Sequence, residues 1–225
     1  EGELNGPSGI VFDESENLYI VDHRNHRVQK FTKDGNFLGA WGNFGSGDGE
    51  FNMPWGITLD RNGNVYVADW RNDRVQKFTA EGDFLGSYGS RGDGKGEFNR
   101  PSSVTVDADG DIYVADWMNN RVQVLGANGR FVKNFYGDAT ASDLMRKNAA
   151  NGTLSPAHAK ARFMADDPQS EECFRGPVSV KFDDNGRLFV LDSYGMRIQV
   201  YQKEGYPSPI MFEATLDSEE RILTL

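Results

Sequence analysis

The side chains with chemistry to offer are few and poorly spaced for catalysis. Three histidines, His23, His26 and His158, and a single cysteine, Cys173, stand among 225 residues. A zinc site needs nitrogen or sulfur ligands converging on one point. His23 and His26 share a loop while His158 lies in a distant, unrelated segment, so the three meet only if that segment folds back over the loop. No nucleophile can be matched with a base and an orienting acid, and a lone Cys173 reads as an ordinary thiol that rules out an intrachain disulfide. "DADGD" at 107–111 spaces oxygen ligands as a calcium loop does, but "DRNGN" at 60–64 and "DDNGR" at 183–187 fill the same slot without those carboxylates. The Gly-rich "GNFGSGDGEF" and "GSRGDGKGEF" join strands and open no helix, so they lack the context of a phosphate-cradling loop. The "RGD" at 91–93 aligns with an "SGD" and reads as chance. No catalytic residue, metal ligand or cofactor is therefore expected.

The pattern that does recur is an aspartate with an arginine five places on: Asp22 and Arg27, Asp69 and Arg74, Asp116 and Arg121, Asp192 and Arg197. The aspartates step by 47, 47 and 76 residues, the last step longer by 29. A period of this length marks a modular array whose units bury their apolar faces on one another. Each unit holds four runs of β-branched and aromatic residues, as in "GITLD", "VYVAD", "RVQKF" and "FLGSYG", with Asn-Gly or acidic-Gly turns between them. Pro7, Pro54, Pro101 and Pro177 are expected to open the first strand of each unit. Four antiparallel strands per unit is the arithmetic of a β-propeller blade. A carboxylate needed four times is a corner bracket, accepting amide protons of the turn and pairing with its arginine, rather than a catalyst.

The stretch "PWGITLDRNGNVYVADWRNDRVQKFTAEGDFLGSYGSRGDGKGEF" resembles the NHL repeat in its Pro, Gly-Ile, Asp, Gly-Asn, Tyr-Val-Ala-Asp, Asn and Arg-Val-Gln. Three copies match closely; the fourth places Met196 where an Asn usually precedes the Arg. The resemblance implies an all-β, NHL-type β-propeller, with four visible four-stranded blades (about 6–48, 53–95, 100–136 and 176–213) as part of a six-bladed ring. "GEL" at 2–4 matches the end of a connector, which leads to the expectation that blades precede the chain. Residues 137–175 break the repeat; "SDLMRKNA" and "SPAHAKARFMADDP" carry Ser N-caps and predict a short helical insertion between blades three and four. Residues 214–225 form a tail, and 1–225 a single domain. Relatives similar to NHL propellers include zinc-dependent peptide-amidating lyases and calcium-dependent lactonases, and some NHL domains bind RNA.

The residues that vary between copies carry the functional expectation. His23 and Arg24, Trp70 and Arg71, Trp117 and Met118, then Tyr194 give each corner a different tip, and Trp55 stands where an innermost strand begins. Trp, Tyr and Arg are the residue types enriched at interface hot spots. The expected function is a noncatalytic recognition scaffold that holds a protein or small ligand on this loop face and the insertion. The alternative is a metal-dependent lyase or lactonase-type hydrolase whose metal site lies in blades not present in this chain. A net charge of −10 disfavours nucleic acid, which is held by neutralising its phosphates, and no apolar run is long enough for a membrane span.

Overall fold

The computed structural model describes residues 2–137 and 173–203, together with two short strands, Thr215–Leu216 and Leu223–Thr224. The predicted helical insertion and most of the tail lie outside the described residues. Three sheets are four-stranded meanders: β1 (Pro7–Phe12) to β4 (Phe37–Trp41), β5 (Ile57–Leu59) to β8 (Phe84–Tyr88), and β9 (Pro101–Val106) to β12 (Phe131–Phe135). The fourth sheet has three strands among the described residues, β13 (Pro177–Phe182), β14 (Arg187–Asp192) and β15 (Arg197–Gln202). The rest of the expected fourth blade, 204–213, lies outside the described residues, and in the tail β16 (Thr215–Leu216) pairs with β17 (Leu223–Thr224). The arrangement is all-β and propeller-like, and no helix among the described residues is long and apolar enough to cross a membrane.

Adjacent blades share their cores. Tyr19, Val21 and Val28 of the first blade pack with Ile57, Val65, Val67 and Phe78 of the second. Tyr66, Ala68 and Val75 then meet Val104, Ile112, Val114 and Leu125, and Tyr113, Ala115, Val122 and Val124 meet Val180, Leu188 and Val190. Alternate residues of each strand thus face opposite neighbours, the period-two rule used on both faces. The first strands β1, β5, β9 and β13 lie side by side and mark the axis. Pro7, Pro101 and Pro177 begin their strands opposite Asp22, Asp116 and Asp192. Pro54 departs from expectation: β5 starts at Ile57, although the Trp55 amide still donates to the Ala68 carbonyl at 2.8 Å.

Candidate functional site

Each second strand ends in the bracket aspartate, and in the first three blades a single 3-10 turn follows: His23–Asn25, Trp70–Asn72 and Trp117–Asn119. The carboxylates are fully buried. Arginine Nε donates to Oδ2 across 2.9, 3.0, 2.8 and 3.2 Å in Asp22, Asp69, Asp116 and Asp192. Asn25, Asn72 and Asn119 donate to the same oxygen in the first three blades. The amide proton on Oδ1 comes from the connector that precedes the blade, at Asn5, Asn52, Asn99 and Arg175, not from the turn. The same arginines reach the connector carbonyls of Glu3, Glu50 and Glu97, and Arg197 that of Cys173. The bracket therefore fastens the corner turn to the connector, a longer-range job than the spacing alone suggests. Burial pushes the Asp69 and Asp116 carboxyls above the ordinary value, against the pull of their donors. Burial also pushes Asp22 up, but in the terminal blade the Asn5 amide, Asn25 and Arg27 outweigh it and hold the group below that value.

A second device recurs at the residue ending each turn, which sits in the left-handed region at His26, Asp73, Asn120 and Met196. His26 Nδ1 accepts the Met53 amide proton at 2.9 Å, Asp73 the Arg100 amide at 2.8 Å, and Asn120 the Gly176 amide at 2.9 Å. Each bond staples one blade to the start of the next. Met196 offers no comparable acceptor, so the departure from the repeat falls on this contact.

On the face carrying the turns the aromatic side chains join up. The His23 ring stands edge-on to Trp55 at 4.8 Å, Trp55 lies 5.8 Å from Trp70, and Trp70 lies 6.1 Å from Trp117. Beyond Trp117, a Cβ on Gly176 would meet the Trp117 indole nitrogen at 2.9 Å and the Tyr194 ring at 2.7 Å, so these two rings flank that glycine. His23 Nδ1 donates to the Pro54 carbonyl at 2.9 Å, which fixes its tautomer. The Arg71 and Arg100 guanidinium groups lie 5.6 and 5.0 Å from the Trp70 ring centre. Trp55 is 43% and Tyr194 66% exposed, and Arg24, Arg71 and Met118 are also open. Arg24, Arg71, Met118 and Tyr194 share one backbone role, donating to the connector carbonyls of Asn5, Asn52, Asn99 and Arg175. Tyr194 thus occupies the place of Arg71, and Ser193 that of the tryptophans, as counting from the bracket aspartates gives. Arg100 was not anticipated; its position before Pro101, beside a corner tryptophan, is the signal that marks it.

The meanders, the shared interblade cores and the corner brackets define a β-propeller array. The NHL repeat family matches at residues 4–31, 51–78, 98–125 and 174–201, and the chain belongs to the NHL-repeat proteins. Comparison with curated proteins finds no significant match. Among solved structures the chain is similar to a streptogramin B lyase (17% identity, TM-score 0.53, covering 89% of this chain and 54% of that one). It is also similar to the hydrazine synthase of Kuenenia stuttgartiensis (17%, 0.54, 84% and 42%). A protein of unknown function from Bacteroides thetaiotaomicron gives 20% identity and a TM-score of 0.59, over 87% and 47%. The chain spans about half the length of these structures, and the likeness is one of fold.

Proposed function

We infer that the chain is a noncatalytic recognition module that holds a protein or small ligand against the turn face. The observation that carries this is the run His23, Trp55, Trp70 and Trp117, with Tyr194 across Gly176 from Trp117, which leaves Trp55 and Tyr194 open to water. Packing between blades does not require that exposure, and large aromatics left at a surface mark contact sites. Arg24, Arg71 and Met118 border the run and give it a polar, adaptable rim. The brackets hold it still: every turn is tied to a connector by a buried carboxylate, so the rings are presented without ordering cost on binding. Among the described residues, Ile10 and Phe12 of the first blade and Leu191 and Ile198 of the fourth stand open, which supports a ring that continues beyond four blades, and six is the number proposed. Residues 1–225 are taken as one domain.

Affinity selection with the native chain, set against Trp55→Ala and Trp70→Ala, tests the reading. A partner held by the native chain is expected to lose about 2 kcal/mol or more of binding with either variant, while their unfolding curves remain close to native. Partners indifferent to Trp55, Trp70 and Tyr194 would refute it. The alternative, a metal-dependent lyase or lactonase-type hydrolase, is supported by the named activity of one structural neighbour. Among the described residues no group of three or more His, Cys, Asp or Glu could hold a metal. Stoichiometric, tightly held zinc or calcium in the purified protein would favour that alternative.

A further inference from the structure

One corner of the turn face holds two arginines on a single ring. The Arg71 and Arg100 guanidinium groups lie 5.6 and 5.0 Å from the centre of Trp70, and neither side chain makes a hydrogen bond or ion pair with a described residue. Arg24, the equivalent of Arg71 in the first blade, is exposed and likewise unpaired. The other arginines of these corners are spent, since Arg27, Arg74 and Arg121 each neutralise a bracket aspartate. A guanidinium stacked on an indole is held in one orientation and keeps its fork of N–H donors available. Like charges sharing one ring repel unless an anion joins them.

The carboxylates of this face are placed differently. Asp73 lies at the same corner, 5% exposed, with its Oδ1 on the Arg100 amide; set against Arg24, Arg71 and Arg100 it leaves two positive charges. The exposed acids Glu3, Asp48 and Asp93, together with Arg91 and Lys95, lie further from the axis on the connectors, where the Gly2, Gly49 and Gly96 amides donate to Gln29, Gln76 and Gln123 of the third strands. Glu50 and Glu97 turn back onto the Gly47 and Gly94 amides. A short segment carrying a carboxylate at one point meets the arginines alone, whereas a long polyanion meets the outer acids as well. His23, 7% exposed, donates Nδ1–H to the Pro54 carbonyl, which leaves Nε2 an acceptor without a partner among the described residues. A bare anion offers it no donor, and a peptide backbone does.

We propose that the partner held on the turn face is a short acidic peptide segment, with an Asp or Glu carboxylate on Arg71 and Arg100 and a neighbouring aromatic side chain on Trp55. The stacked arginines fix the carboxylate by paired N–H donors, and Trp55, 43% exposed, supplies the apolar contact beside it. This rests on the recognition reading and names the chemistry of the partner.

Fluorescence anisotropy of the full chain with labelled, end-capped hexapeptides that alternate Phe with Glu, with Gln or with Lys tests the proposal. Saturable binding of the Glu peptide is expected, with the Gln and Lys peptides weaker by about tenfold or more, the worth of one charge-assisted hydrogen bond. Arg71→Gln and Arg100→Gln should each weaken the Glu peptide by about tenfold and leave the Gln peptide unchanged, while Trp55→Ala should weaken both. Neither arginine bonds to a described residue through its side chain, so both variants should fold, and native-like thermal unfolding verifies that. No saturable binding of the Glu peptide, an affinity unchanged in both arginine variants, or its displacement by equimolar inorganic phosphate would overturn the proposal. Equal affinities for the Glu and Gln peptides, both falling in Trp55→Ala, would overturn the acidic partner and leave the recognition reading standing.

Discussion

Asp116 shows what one side chain holds in this protein. It is buried against an arginine that is itself only 3% exposed, and its two oxygens take the Asn99 amide, Asn119 and Arg121. Asp116→Ala strands that guanidinium in the interior and should cost about 3–5 kcal/mol. Asp22→Ala should cost about 1–3 kcal/mol, because Arg27 retains access to water. Urea midpoints of the two variants check the order, and equal losses would deny that burial of the partner decides it. His26 offers a sharper test. Burial first, then the charges of His23 and Arg71, hold its imidazole below the ordinary value of 6.5, with Asp69 opposing. The Met53 amide bond also requires Nδ1 to be unprotonated. The unfolded chain therefore takes up the proton first as pH falls, so this contribution to stability is whole above about pH 6.5 and drains as pH drops below it. His26→Asn copies the Asn120 staple, and Asn tolerates the positive φ. That variant should match the native chain at pH 7.5 and exceed it at pH 5.5 in thermal unfolding.

Neighbouring inner strands approach closely at the axis in two places. A Cβ on Gly56 would meet the Ser103 Cα at 2.7 Å and the Ser102 carbonyl at 2.8 Å, and one on Gly9 would meet the Trp55 carbonyl at 2.6 Å. These are backbone atoms and cannot swing aside, so Gly56→Ala must push β5 from β9. A loss of about 1–3 kcal/mol is expected from that overpacking, whereas Gly39→Ala, with open space around it, should stay near native; chemical denaturation separates the two. This close approach explains the Gly-Ile at the head of a repeat, which is visible in the sequence while its reason is not. The strand pattern, the bracket pairs and the aromatic corners were all legible because alternation, turn dipeptides and the 47-residue period are local signals. The staple from His26, Asp73 and Asn120 was hidden, because three different side chains do one job and only their αL backbone unites them.

At the scale of the molecule, the first and fourth blades expose, among the described residues, apolar positions that the interior blades bury. Ile10 is 60% exposed, and its counterpart in the second blade, Ile57, is 7% exposed. Phe12 repeats the contrast against Leu59, which packs in the first interblade core. At the far end Leu191 and Ile198 stand open where Ala68 and Val75 of the second blade are sealed. Apolar surface buried at one blade and bare at another changes what a substitution does. Ile57→Ala removes packing from a closed core and should cost about 2–5 kcal/mol. Ile10→Lys and Ile198→Lys remove nothing that is packed and should shift stability by no more than about 0.5 kcal/mol. They should also lower the fluorescence of a dye that reports exposed apolar surface, and the double variant should lower it further, since the two faces lie at opposite ends of the array and act independently. An unchanged dye signal, or a loss of stability approaching that of Ile57→Ala, would show that these faces are covered in solution. Fluorescence and denaturation of the same three variants decide between an open array and one closed on itself or on another blade.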